Sequence, residues 1–149
     1  MVTKYPVEID VLIEPIWFAR IPTIKIGIDG QLETYTIEKS RLFTYTVDDP
    51  KDLCTLEVHH IGKQIKDCVP DQGLDTAIVI KEVIINGIKS PKFAWQGVYY
   101  PEYPDYYHAE SNVLTPWTYL GWNGIWRLDI GIPAFTWIHK VENLGWIYE

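Results

Sequence analysis

The chain has 149 residues, 47% hydrophobic and 22% charged, with a formal net charge of −7. That size and balance describe a globular chain that can bury a sizeable core as a single domain over 1–149, and they exclude disorder. The acidic balance argues against the concentrated Lys and Arg surface that grips nucleic acid or anionic lipid, and no apolar run approaches a membrane span.

The N-terminal Met1 to Pro6 lacks a charged start followed by an apolar stretch, so no signal peptide is expected. Val7 to Glu14 alternates, thickens and stops at Pro15, as a strand does. Ile24 to Ile28 alternates and ends in Asp29-Gly30. Leu32 to Ile37 then returns, which predicts a hairpin. Arg41 to Val47, rich in Thr, Tyr and Phe, is a further strand closed by Asp48-Asp49-Pro50. Leu53 to Ile61 alternates with Leu56, Val58 and His60 on one face and Glu57 and His59 on the other.

Lys63 to Leu74 is polar and turn-rich. Thr76 to Ile85 is the strongest strand; its β-branched run predicts burial on both faces at a sheet centre, ended by a tight Asn86-Gly87 turn. Leu120 to Trp126 reads as a hairpin turn with a Trp on each side of Asn123-Gly124. Ile125 to Ile132 alternates, Ala134 to His139 follows beyond Gly131 and Pro133, and Val141 to Tyr148 closes the chain. No segment shows a helical period beyond a turn or two. Short strands between turn signals predict an all-β fold, an antiparallel β-sandwich or jelly roll.

The C-terminal third holds most of the seven tryptophans and ten tyrosines. Gly97 to Tyr107 is too rich in Pro and Tyr for a helix and reads as an ordered loop. Amphipathic rings on such a loop suit a sugar or a protein partner. The candidate ligand or interface residues are therefore Tyr99, Tyr100, Tyr103, Tyr106 and Tyr107, with Trp122 and Trp126. The competing reading is core packing, which is favoured for most of Trp95, Trp117, Trp137 and Trp146, spread as they are over separate elements.

Signals for catalysis are sparse. Ser40, Ser90 and Ser111 lie outside any Gly-x-Ser-x-Gly turn, and no Gly-rich phosphate loop is present. Glu102, Asp105 and Glu110 could supply a carboxylate pair for glycoside hydrolysis, although exposed loop acids usually serve solubility. No enzyme activity is expected. Cys54 and Cys68 are expected to be reduced thiols, and with His59 and His60 they fit no common zinc spacing. Asp67, Asp71 and Asp75 cluster in one turn-rich segment and could offer oxygens to calcium; the bland alternative is turn-forming aspartate.

Two resemblances bear on this pattern. Leu53-x-x-Leu56-Glu57-Val58 through Asp75 to Asn86-Gly87 resembles the central strands of small calcium-dependent, xylan-binding carbohydrate modules. There an aspartate, matched by Asp75, precedes a strand ending in an Asn-Gly turn. Where those modules carry Asn-Asp-Ala, this chain has Ile61-Gly62-Lys63. The whole pattern, including Leu120-Gly121-Trp122-Asn123-Gly124 and Trp137 to Trp146, resembles β-sandwich proteins of marine tailed bacteriophages, the cyanophages. That resemblance implies a virion location after synthesis in the host cytoplasm. The leading expectation is a virion structural or decoration protein on capsid or tail, a homo-oligomer docked on other virion proteins. The alternative is a calcium-assisted module that binds a host surface glycan for attachment; a glycoside hydrolase accessory domain is third.

Overall fold

The computed structural model describes residues 5–104 and 111–142. Among the described residues, ten strands lie in two antiparallel sheets that pack face to face as a β-sandwich. One sheet has the order β4-β1-β6-β7, from Arg41–Val47, Val7–Ile16, Ala77–Ile85 and Ile88–Lys89. The two-residue β9, Tyr119–Leu120, pairs the opposite end of β6. The other has the order β3-β2-β5-β10-β8, from Gln31–Thr36, Thr23–Ile28, Leu53–Ile61, Gly124–Gly131 and Val98–Pro101.

Period-2 patterning sets which side chains meet between the sheets. Val7, Ile9, Val11 and Ile13 of β1 face Ile24, Ile26, Leu56, Val58, Leu128 and Ile130 of the other sheet in one continuous core. The Asp29-Gly30 hairpin forms as expected, with φ of 51° and 83°, and Asn86-Gly87 repeats the geometry at 50° and 77°. Both are the left-handed pairs that suit the strand twist, and Asn, Asp and Gly reach them at least cost.

β6 is an interior strand, and Ile78, Ile80, Val83 and Ile85 are buried. Only one of its faces is covered, however: Lys81 is exposed and Val79 and Ile84 are half-buried. The register against β1 shifts at Leu12/Ile13, which leaves Lys81 without an opposite residue. This bulge resets the alternation, so that Ile80 and Val83, three apart, both point inward.

Two other expectations are corrected. Ala134–Val141 is a helix, α2, following a shorter one at Pro91–Trp95, α1. Ala134 and Ile138, one turn apart, are its buried positions, and Trp137 lies against Phe93 of α1 at 5.7 Å between ring centroids. The Asn123-Gly124 segment is not a hairpin turn. β9 and β10 belong to different sheets, so 121–123 is a crossover between them. Cys54 and Cys68 are free thiols. Among the described residues no helix is long and apolar enough to cross a membrane.

Candidate functional site

The strand registers bring several connections to one end of the sandwich. Gly124 at the start of β10 lies opposite His60 near the end of β5 and Pro101 at the end of β8. In the facing sheet, Ile78 near the start of β6 pairs Leu120. The β5–β6 connection, the strand β9 with the residues before it, and the 121–123 crossover therefore converge. Between them lies a cleft of about 210 Å³. Trp117, Tyr119, Trp122, Tyr103 and Leu114 form its walls, and Lys63 and Asp75 form its polar floor.

The floor is tightly tied. The Lys63 ammonium donates to Asp75 Oδ1 at 2.5 Å and to the Gly121 carbonyl, and sits 4.3 Å from the centre of the Trp122 ring. Asp75 Oδ1 also accepts from the Thr76 backbone N–H at 2.8 Å, and Oδ2 accepts from the Tyr119 hydroxyl at 2.6 Å. The Lys63 side chain is 1% exposed, whereas that of Asp75 keeps 26% exposure toward the cleft. Burial, then the hydrogen bond to Asp75, raise the Tyr119 phenol well above its ordinary value, so it remains a neutral donor.

A second set of bonds fixes the walls. Asn123 clasps the Lys63 backbone from both sides, accepting from its N–H at 2.8 Å and donating to its carbonyl at 3.0 Å. The Tyr99 hydroxyl donates to the Trp122 carbonyl and accepts from the Trp122 N–H at 3.0 Å. Burial raises the Tyr99 phenol too, against the opposing hydrogen bond to the Trp122 backbone. The Trp126 indole N–H donates to the Trp117 carbonyl at 2.9 Å, so a core residue anchors the outer wall.

Of the residues singled out from sequence, Tyr99, Tyr103, Trp122 and Asp75 meet in this cleft. Tyr99 is a buried strand residue rather than a loop residue, with its hydroxyl bonded to the Trp122 backbone. Tyr100 alternates to the outer face of β8 and lines a separate groove of about 360 Å³ with Glu57, Arg127 and Trp137. Trp126 is fully buried and belongs to the core, because it occupies an inward position of β10. Tyr106 and Tyr107 lie outside the described residues, as do Asp105 and Glu110.

The three aspartates do not converge. Asp67 is buried against Arg20 and accepts from the Gln64 N–H at 2.8 Å. Burial alone would raise its pKa, but the Gln64 N–H and the Arg20 guanidinium outweigh that and hold it below the ordinary carboxylate value. Asp71 lies on an exposed 3₁₀ turn at Pro70–Gln72. Among the described residues no three His, Cys, Asp or Glu side chains gather as metal ligands.

Sequence reasoning missed Lys63, Trp117 and Tyr119. The available signal was the basic residue of Ile61-Gly62-Lys63, the segment set against Asn-Asp-Ala of the resembled modules.

The β-sandwich fold has counterparts among solved structures. The solved structure of vCBM60 in complex with galactobiose is similar at a TM-score of 0.50, with 14% identity, covering 83% of this chain and 97% of that one. The selenomethionine form of vCBM60, described with a circular permutation that links two families of calcium-dependent carbohydrate-binding modules, is similar at 0.51, again with 14% identity, covering 82% and 89%. These likenesses establish the fold. No protein-family model and no curated protein matches the chain.

Proposed function

We propose that this chain is a single-domain, non-catalytic glycan-binding module that holds a sugar in the Trp122 cleft. The observation that carries this reading is a partly exposed carboxylate, fixed from three sides, set in an aromatic-walled cleft at one end of a β-sandwich. A pyranose presents an apolar C–H face and a rim of hydroxyls. Trp122, Trp117 and Tyr119 suit the first, and the remaining lone pairs of Asp75 suit the second. Among the described lining residues Asp75 is the only carboxylate. Hydrolysis by the usual retaining or inverting route needs two, so binding fits this cleft better than cleavage.

The sequence resemblance to tailed-phage proteins supports a virion setting, in which several copies would be docked on other virion proteins and face the host envelope. A cleft this small holds one or two sugar units weakly, and display in many copies raises the avidity by orders of magnitude without any new contact. The virion role then becomes attachment rather than structure alone.

A glycan array probed with multimerised protein tests the reading. Binding is expected to a restricted set of neutral or host-surface glycans. Trp122→Ala should weaken it about tenfold, the factor that ~1.4 kcal/mol of lost ring contact makes. Tyr119→Phe frees one Asp75 oxygen and should change affinity by a smaller factor. An array with no response, or a response that Trp122→Ala leaves unchanged, would refute the assignment of this cleft.

A further inference from the structure

We infer that the Lys63 ammonium does in this chain the work that a bound divalent cation does in a calcium-dependent module. It neutralises and fixes the loops that build the cleft, so that ligand binding needs no metal. The ligand part of this inference rests on the glycan-binding reading above; the rest stands on the geometry of Lys63.

A structural cation is recognised by what surrounds it. It sits among converging oxygens, away from water, and joins segments that are distant in sequence. Lys63 meets each condition. Its side chain is 1% exposed. Its three N–H donors have the Asp75 carboxylate, the Gly121 carbonyl and the Trp122 ring face around them. Burying an ammonium is costly unless its partners replace water on every side, and here they do. One positive charge thereby ties the two ends of the β5–β6 connection, at Lys63 and Asp75, to the 121–123 crossover. The reciprocal Asn123 bonds lock the Lys63 backbone to the same crossover.

The charge balance points the same way. A calcium ion takes six to eight oxygens and is held by several carboxylates. In this region Asp75 is neutralised by Lys63, and Asp67 by Arg20. Neither acid is left as an uncompensated negative charge. A divalent ion at Asp75 would also stand within a few ångströms of a buried ammonium, where like charges repel strongly. The described residues of this region therefore do not fit calcium, although a similar fold is described among calcium-dependent modules.

The test is thermal melting of the whole chain in millimolar calcium chloride and then in excess EDTA, paired with titration of galacto- and xylo-oligosaccharides in both buffers. The expected result is a wild-type melting temperature and affinity that neither buffer changes. Lys63→Met keeps the apolar stem but strands Asp75; it should melt roughly 10 °C lower, the shift expected for breaking a buried pair in a chain of this size. It should also bind at least about tenfold more weakly. Lys63→Arg retains the charge on a longer head and should fall between the two. The inference is overturned if calcium raises the wild-type melting temperature and EDTA lowers it, or if Lys63→Met melts and binds like wild type. Metal-indifferent melting with a destabilised Lys63→Met but no sugar binding in either buffer would support the role of Lys63 and reject the glycan reading. Should Lys63→Met not fold, the wild-type melts and Lys63→Arg still decide.

Discussion

Trp126→Ala should destabilise the protein by ~3–5 kcal/mol, the range for removing a large aromatic side chain from a packed core. The indole is fully buried on the inner face of β10. Gly97 shows how closely it is surrounded: a Cβ placed there would lie 2.2 Å from ring atoms of Trp126. The loss would combine transfer of the ring with a cavity that the two sheets cannot close. It would also leave the Trp117 carbonyl without its indole donor and so loosen the cleft wall. Urea denaturation should show a lower midpoint with an unchanged slope, since the surface exposed on unfolding is nearly the same. Trp126→Phe keeps most of the ring and should recover much of the loss. A shift below ~1 kcal/mol for the alanine variant would mean that the ring is not part of the core.

Stability should also fall on acidification, in a window set by His60. Burial lowers the pKa of this imidazole from 6.5 to about 4; the hydrogen bond with the Leu120 carbonyl opposes the change, and nearby Lys63 adds to it. Nδ1–H donates to that carbonyl, and Nε2 has no hydrogen-bond partner among the described residues that could receive a second proton. The unfolded chain takes up a proton as pH falls through 6.5, whereas the folded chain resists until about 4. The stabilisation is therefore complete above pH 6.5 and is lost progressively down to about 4. The total is about 3 kcal/mol, because each tenfold loss of proton affinity on folding corresponds to roughly 1.4 kcal/mol. Asp67, held below its ordinary value by Gln64 and Arg20, contributes its own loss only at lower pH. Denaturation midpoints across this range should slope for wild type and flatten for His60→Gln. A flat wild-type profile would show that the imidazole is solvated.

The parts of the fold legible in the sequence are those set by local rules. The alternation of Val7, Ile9, Val11 and Ile13 and the left-handed turns at Asp29-Gly30 and Asn86-Gly87 need only neighbouring residues for their logic. The helix α2 was hidden because Phe135, Thr136, Trp137 and Ile138 have strand-like side chains, and its two turns are too short for a period to show. The 121–123 crossover was hidden because Asn123-Gly124 carries a hairpin signature, yet Asn123 spends its amide on Lys63, 60 residues away.

The site was half legible for the same reason. Trp122 and Asp75 stood out by residue type and by resemblance. Lys63 looked like one more solvated charge in a polar loop. Its burial depends on Asp75, Gly121 and Trp122, the last two nearly 60 residues distant, which no local pattern encodes. The similar solved structures bear on the fold, and the glycan-binding reading rests on the cleft itself.

The most direct test of the central claim is a titration of the protein with galactobiose, or with the oligosaccharide that an array selects, followed through the tryptophan indole N–H signals by nuclear magnetic resonance. Trp122 and Trp117 line the cleft, whereas Trp95 is 51% exposed on α1 and lines no part of it. Saturable shifts are expected at Trp122 and Trp117, the same in calcium and in EDTA, with Trp95 unmoved. Saturable binding that shifts Trp95 and leaves Trp122 in place, or no shift at any indole, would contradict it.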